Sequence, residues 1–279
     1  MSTRNPATLA ATTARHVFLI IVSIAFVFPL VWILVSSFTP SGELTADPLS
    51  VLPSEATIEH YRTVIVDLGF LTNLRNSVLI SLASTAITIV LATLAAHGVV
   101  RFFPRVGRRL TRILIATYMF PPILLAVPYA TIMIQLNLIN TYASLILAYL
   151  SFTLPYAIWM LVGFYRTVPL EIEESAAVDG ATKLRIFLKI STPIVAPGIA
   201  ATAVYTFINC FNEFLYALLF ISSTERMPVA VALYSITGAE VLDWGAMMAA
   251  SALVVVPSVV FFMAIQKYIA GGLTEGAGK

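Results

Sequence analysis

Six long runs of apolar residues constrain this chain more than any other feature of its 279-residue sequence. The hydrocarbon core of a bilayer is about 30 Å thick, so a helix that crosses it needs about 20 mainly apolar residues. The mean hydropathy of +0.93 lies outside the range of a soluble globular domain. We therefore predict an all-α membrane protein with six transmembrane helices. The runs cover approximately residues 17–38, 77–100, 113–134, 143–165, 194–220 and 246–266.

The distribution of lysine and arginine predicts how these spans are oriented. An even number of spans places both termini on the same side of the membrane. If that side is the cytoplasm, 13 of the 16 basic residues are inside, and only Arg62, Arg75 and Arg226 are outside. We expect a multi-pass protein of the plasma or inner membrane with both termini in the cytoplasm. Its parts are an N-terminal tail (1–16), a six-helix domain (17–267) and a C-terminal tail (268–279).

A charged segment, "EESAAVDGATKLRIFLKISTP" (173–193), separates the fourth and fifth spans. Pro169 is suited to the first turn of a helix, and Glu171, Glu173 and Glu174 place negative charge near the positive end of its dipole. Gly180 can adopt the left-handed conformation that ends a helix. Thr182 can cap a second helix, "KLRIFLKI". The pattern predicts a helix–glycine–helix hairpin within residues 167–193, which we call the hairpin.

The apolar side chains of the hairpin allow two interpretations. Ala176 and Ala177 give its first helix a face of small residues, and Leu184, Phe187 and Leu188 give the second a bulky one. An amphipathic element of this kind can lie on the lipid interface. It can also insert into a groove on a cytosolic protein. The residue pattern alone leaves both interpretations open.

The stretch "EESAAVDGATKLRIFLKISTPIVAPG" resembles the EAA loop of ATP-binding-cassette (ABC) importer permeases. The positions that match the family pattern are Glu174, Ala176, Gly180, Ile190 and Pro193, and Ser175 replaces the usual first alanine of the motif. The resemblance extends along nearly the whole chain, through "FPLVWILVSSFTP", "NSVLIS", "FNEFLYAL" and the tail "GGLTEGAGK". These segments are similar to the MalG-like permease subunits of carbohydrate importers, which are binding-protein-dependent transport system inner membrane components.

The resemblance implies the type I ABC importer permease fold, with the hairpin as a cytoplasmic coupling-helix loop that docks in a cleft of an ATPase. It also implies the partners: a second, MalF-like permease subunit, two copies of an ABC ATPase and an extracytoplasmic sugar-binding protein. The C-terminal residues 272–279 would reach toward the ATPase interface. The residues expected to contact the ATPase are Glu174, Ala176, Ala177, Asp179, Gly180, Ala181, Leu184 and Phe187.

The sequence offers no catalytic machinery of its own. It contains no G-x-x-x-x-G-K-[ST] phosphate loop. The three histidines lack metal-ligand spacing, and no Ser-His-Asp set can be assembled from the pattern. We expect a non-catalytic subunit that binds no cofactor, metal or nucleic acid. ATP and Mg would be bound by the partner ATPase.

A polar stripe follows one face of the fifth span. Its members stand at i, i+4, i+7, i+8 and i+11, which is the spacing of one helix face. Amides and a carboxylate can hydrogen-bond hydroxyl groups, and tyrosine rings can stack on a sugar, so the stripe predicts a pathway for a neutral polyol. The alternative is a set of structural hydrogen bonds between helices, and the acid in the stripe fits either role. The stripe consists of Tyr205, Asn209, Asn212, Glu213 and Tyr216.

These features together predict one half of the translocation pathway of an ATP-driven importer for a sugar, such as a di- or oligosaccharide. The same permease role for another solute, such as glycerol phosphate, a peptide or a polyamine, is an alternative. An ion-coupled secondary transporter is a rival from another class, and it would require inverted repeats and coupling acids near the midplane. A membrane scaffold would leave the polar stripe without a role.

Overall fold

The computed structural model describes residues 6–46, 52–237 and 243–276, and the regular secondary structure in these ranges is entirely helical. Helices suit a lipid environment because they pair their own backbone polar groups. The predicted all-α fold is confirmed. Residues 1–5 and 277–279 of the two predicted tails lie outside the described residues. The α-helices are α1 (Pro6–Ser36), α2 (Ser41–Ala46), α3 (Glu59–Arg62), α4 (Phe70–Arg101), α5 (Pro104–Tyr118), α6 (Pro122–Gln135), α7 (Tyr142–Thr167), α8 (Leu170–Val178), α9 (Lys183–Ile186), α10 (Thr192–Ile194), α11 (Ala196–Phe211), α12 (Leu215–Phe220), α13 (Val229–Thr237) and α14 (Trp244–Gly276).

Within the described residues, four helical segments are long and apolar enough to cross a membrane alone. They are Thr12–Ser36, Phe70–Arg101, Tyr142–Thr167 and Trp244–Tyr268. Two further spans result if each of two bent helix pairs counts as one crossing. These pairs are Arg109–Tyr118 with Pro122–Gln135, and Lys183–Ile194 with Ala196–Phe211.

The third apolar run, expected to be one span over 113–134, forms two helices at a large angle. Helices α5 and α6 are bent by 93° at the break between Tyr118 and Pro122. Neither Pro121 nor Pro122 can donate a backbone hydrogen bond, and the residue before a proline is disfavoured in the α conformation. Pro121 is extended, with φ −60° and ψ 124°, and α6 begins at the next residue. The prolines therefore end one helix and start another, which is a larger change than a kink.

The fifth run, expected over 194–220, is also discontinuous. Helix α11 is bent by 74° from the segment Lys183–Ile194 before it. It ends at Phe211, and α12 begins only at Leu215. Residues 212–214 form a non-helical break in the middle of the polar stripe.

The chain divides into two compact units. The first comprises Met1–Phe70 and Leu233–Val255. Here Nε2 of the buried His60 donates a 2.9 Å hydrogen bond to the Thr39 carbonyl. The start of α14 packs against the same ring, because a Cβ on Gly245 would lie 2.1 Å from it. Only glycine fits at this position.

The second unit comprises Leu71–Ala232 and Val256–Lys279 and contains both candidate site regions. Its buried apolar residues form two clusters. One includes Tyr149, Tyr216 and Phe220, where α4, α6, α7 and α12 meet. The other includes Leu161 and Phe187, where α4, α7 and the hairpin meet. The two clusters lie beside the polar stripe and beside the hairpin, respectively.

Candidate functional site

The hairpin has the local structure that its sequence predicts. Helix α8 follows Pro169, and Gly180 has a φ of +84°, in the left-handed region that favours glycine. The Thr182 hydroxyl accepts a hydrogen bond from the Arg185 backbone N–H at 3.3 Å and so caps α9. A π-helical segment, Phe187–Ser191, continues from α9 toward α10.

The turn of the hairpin is exposed. Glu174, Ala177 and Gly180 are exposed, and Leu184 is 64% exposed. Val178, which was not among the predicted docking residues, is 88% exposed and is the most exposed large apolar residue of the described chain. Its position between the small face of α8 and the glycine turn is the signal that would have identified it. An apolar tip surrounded by charges suits contact with another protein.

Phe187 does not belong to this exposed surface, contrary to its predicted docking role. It is 8% exposed, and its ring centroid lies 4.9 Å from that of His97 in the core. Phe187 and Leu184 were expected to share one bulky face. The structure instead buries Ile186 and packs Phe187 with residues of α4 and α7, and the π-helical geometry that starts at Phe187 alters the helical register.

A buried ionic contact at the base of the hairpin was missed by sequence reasoning. Glu173 is 8% exposed, and its Oε1 accepts hydrogen bonds from Arg101 Nε at 2.9 Å and Ser191 Oγ at 2.7 Å. Sequence reasoning assigned Glu173 only an effect on the helix dipole. Its arginine partner is 72 positions earlier in the chain, at the end of α4. No local pattern connects two such distant residues.

The second candidate region is a cavity of about 490 Å³ within the second unit. This volume lies in the ~300–1,000 Å³ range of small-molecule sites. Four members of the predicted stripe line it, namely Asn209, Asn212, Glu213 and Tyr216. Sequence reasoning missed the opposite walls, which come from α5, α6, the break between them and α7. Those walls include Tyr118, Phe120, Ser151 and Phe152.

The two asparagines of the stripe keep hydrogen-bonding capacity for a solute. The Asn209 amide donates to the Tyr205 carbonyl at 2.8 Å, and the Asn212 amide donates to the Ile208 carbonyl at 3.0 Å. These bonds tie the two side chains to backbone carbonyls of α11, and both residues line the cavity. Each amide retains a carbonyl oxygen and a second N–H that have no hydrogen bond to the described residues. Such groups can both accept from and donate to hydroxyls.

Glu213 has a structural role in the break between α11 and α12. Its Oε1 accepts from the Tyr216 backbone N–H at 2.9 Å, and its Oε2 accepts from the Ala217 N–H at 3.2 Å. Both oxygens thus cap the first turn of α12, where the N–H groups have no partner within the helix. Negative charge is also favourable at this end of the helix dipole.

The two tyrosines of the stripe differ in position. Tyr216 is 1% exposed, is among the residues that line the cavity and donates a hydrogen bond from its hydroxyl to the Pro122 carbonyl at 3.1 Å. Tyr205 is not among the lining residues. It lies behind Tyr118, with a 2.5 Å contact between their hydroxyls, and its ring stacks on Tyr156 with centroids 4.0 Å apart. The stripe therefore divides into lining and supporting members.

Comparison with known proteins identifies relatives of this chain. A sequence profile of the family described as "Binding-protein-dependent transport system inner membrane component" matches residues 88–275, more than half of the chain. The chain is 35% identical to the trehalose/maltose transport system permease protein MalG of Thermococcus litoralis, over 93% of this chain and 94% of that protein. It is 34% identical to the sulfoquinovosyl glycerol transport system permease protein SmoH of Agrobacterium fabrum, over 90% and 88%.

A solved structure has a similar fold. It is described as a bacterial ABC transporter involved in the import of the acidic polysaccharide alginate, and it superposes with a TM-score of 0.78 over 96% of this chain and 99% of that one. The sequence identity is 18%, so the likeness concerns the fold.

Proposed function

The chain belongs to the family of binding-protein-dependent transport system inner membrane components, and on this premise we propose that it carries a di- or oligosaccharide. It is a multi-pass permease of an ABC importer. The names of both relatives describe cargo that contains a sugar. In our proposal the chain forms half of the translocation pathway, is itself non-catalytic and depends on separate ATPase subunits.

The observation that carries the sugar assignment is the cavity lined by Asn209 and Asn212. Their free amide groups can hydrogen-bond hydroxyls, and the rings of Tyr118 and Phe152 provide apolar faces of the kind that sugars stack on. None of the described residues that line this cavity is lysine or arginine. A neutral saccharide therefore fits better than glycerol phosphate, because a phosphate group favours a cationic partner.

The exposed hairpin supports the proposal that the chain docks on an ABC ATPase. Its tip presents Val178, Gly180 and Leu184 beside the carboxylates of Glu174 and Asp179. A projecting helical element of this kind suits insertion into a groove. The complete importer would contain this chain, a MalF-like permease, two ATPase copies that bind ATP and Mg, and an extracytoplasmic sugar-binding protein. Both termini and the hairpin would face the cytoplasm, as the distribution of basic residues suggests.

The proposed mechanism is alternating access. ATP binding closes the pair of ATPases, the docked hairpins move with them, and the pathway opens outward to receive sugar. A ligand shifts such an equilibrium only by binding one state better than the other. ATP provides this difference on the partner subunits. The inward-facing state returns after hydrolysis.

The assignment is tested by replacing both asparagines with leucine, whose side chain has the same number of heavy atoms and the same branching but cannot hydrogen-bond. Uptake of radiolabelled trehalose or maltose is measured with the complete transporter in proteoliposomes. We expect the N209L/N212L variant to lose uptake by roughly tenfold or more, from two hydrogen bonds of about 0.5–1.5 kcal/mol each. The control, Ile208→Leu, changes an apolar residue of the same cavity wall without removing a hydrogen-bonding group and should transport normally. Unchanged uptake by an assembled N209L/N212L complex would reject the saccharide contact. If the native transporter takes up a phosphorylated solute and neither disaccharide, the phosphorylated cargo is favoured.

A further inference from the structure

Glu173 and Glu174 are consecutive residues of α8, yet their carboxylates have opposite surroundings. Glu174 is exposed on the hairpin surface, whereas Glu173 is 8% exposed. Successive residues of an α-helix are rotated by about 100° around its axis, so adjacent side chains can serve opposite faces. The proposed docking surface uses Glu174 and gives no role to Glu173.

The buried contacts of Glu173 form a joint, which we define as Arg101, Val168, Glu173 and Ser191. Arg101, the last residue of α4, donates from Nε to Glu173 Oε1 at 2.9 Å and from Nη2 to the Val168 carbonyl at 2.8 Å. Ser191 Oγ donates to the same Oε1 at 2.7 Å. The joint therefore connects the end of α4, the link between α7 and α8, α8 itself and the π-helical segment.

The joint is held by buried charge. The side chains of Arg101 and Glu173 are 11% and 10% exposed. Separating them would leave an uncompensated charge in a poorly solvated place, which is strongly unfavourable. The ring of His97 covers one side, with Nε2 3.9 Å from Glu173 Oε2, and it packs against Tyr165 and Phe187. These rings exclude water from the ion pair.

We propose that the joint makes the hairpin and the cytoplasmic end of α4 one rigid lever, so that movement of the hairpin reaches α4 directly. Arg101 and Glu173 are positioning residues in this scheme, because neither contacts cargo or nucleotide. Only Val168 and Pro169 separate α7 from α8, and without the joint this link could rotate about its backbone dihedrals. The inference rests on the proposed function, since it requires a docked ATPase.

Movement of α4 has a route to the cavity. The Thr88 hydroxyl in α4 contacts the Thr153 hydroxyl in α7 at 2.8 Å, and both residues are buried. Thr153 directly follows Phe152, which lines the cavity. A displacement of α4 is thus transmitted through a buried hydrogen bond to the cavity wall.

The test measures the distance between the hairpin and the end of α4 during the ATP cycle. Spin labels are placed on cysteines at Arg185, an exposed hairpin residue outside the proposed docking contacts, and at Phe103, which is 62% exposed. The label distance is measured by pulsed electron paramagnetic resonance in the complete transporter, with its ATPase, without nucleotide and with ATP. The native Cys210 is buried and does not compete for label. We expect the same distance distribution in both states for the otherwise native chain.

Breaking the joint should change this result. In Glu173→Gln we expect a broadened distribution that shifts with nucleotide, and a loss of roughly tenfold in sugar transported per ATP hydrolysed. Glu171→Gln is the matched control, because it removes the same charge from an exposed site on the same helix. If Glu173→Gln does not assemble, Ser191→Ala removes a single hydroxyl from the joint and should show the same change to a smaller degree.

The outcomes separate the joint from the proposed function. A nucleotide-dependent distance in the native joint would overturn the lever. A Glu173→Gln variant with the native distance distribution would also overturn the lever. The same holds if this variant lowers sugar uptake and ATP hydrolysis by the same factor, because the sugar transported per ATP is then unchanged. Failure of the native chain to bind an ATPase at all would instead reject the proposed function.

Discussion

The left-handed glycine at the tip of the hairpin gives a quantitative prediction for ATPase docking. Gly180 has a φ of +84°, and a Cβ added there would meet no atom within 4 Å among the described residues beyond its two chain neighbours. The change Gly180→Ala therefore introduces backbone strain without a clash. A residue with a Cβ loses roughly 1–2 kcal/mol in the left-handed conformation. If docking requires the native turn, the affinity for the ATPase falls by roughly 5–30-fold, because only the fraction of molecules with that turn can bind.

The assay titrates the purified permease complex with its ATPase. It compares the native chain with Gly180→Asn and Gly180→Ala at one salt concentration. Asparagine tolerates the left-handed region better than alanine, although its side chain is larger. We expect affinity to decrease in the order glycine, asparagine, alanine. An alanine variant with unchanged affinity would show that the turn is not needed for docking. An asparagine variant weaker than alanine would show that the size of the side chain, not backbone strain, limits the contact.

Two further changes test the packing around the site by thermal unfolding of the purified complex. Glu213→Ala removes the acceptors for the backbone N–H groups of Tyr216 and Ala217 and should lower the free energy of unfolding by about 1 kcal/mol. Glu213→Gln keeps one acceptor oxygen and should lower it less. Equal losses of stability in the two variants would contradict the capping role. Gly198→Ala should lower the free energy of unfolding by about 1–3 kcal/mol, because its Cβ would lie 2.3 Å from the Phe164 ring. Adding Phe164→Leu to this variant should recover part of the lost stability. A Gly198→Ala variant as stable as the native chain would show that α11 has room to move.

The local structure of the hairpin could be predicted because short-range chemistry determines it. A glycine turn and a threonine cap act on residues within a few positions, so Gly180 and Thr182 carry the signal in themselves. The polar stripe was predictable for a similar reason. A helical repeat places Tyr205 and Asn209 on one face of α11 whatever surrounds the helix. Asn209 lines the cavity, and so does Asn212, directly after the end of α11.

Other features depend on contacts between distant segments. The burial of Glu173 requires Arg101 at the end of another helix, and the inward position of Phe187 requires a space beside His97. The opposite walls of the cavity come from helices that periodicity cannot orient relative to α11. The break after Phe211 was also missed, since Glu213 was interpreted as a side chain in a continuous helix. Its backbone-capping role is visible only once that helix is interrupted.

Because Glu173 and Glu174 are neighbours with opposite surroundings, the helical register of α8 is sensitive to changes in its length. A substitution at either position alters one contact. Deleting a single residue from the first turn of α8 would rotate every later side chain by about 100° relative to Arg101. The carboxylate of Glu173 would then leave its buried partners, and that of Glu174 would leave the exposed face. We therefore expect that a scan of single-residue deletions would tolerate few changes between Pro169 and Glu173, including at positions where every amino acid substitution is accepted.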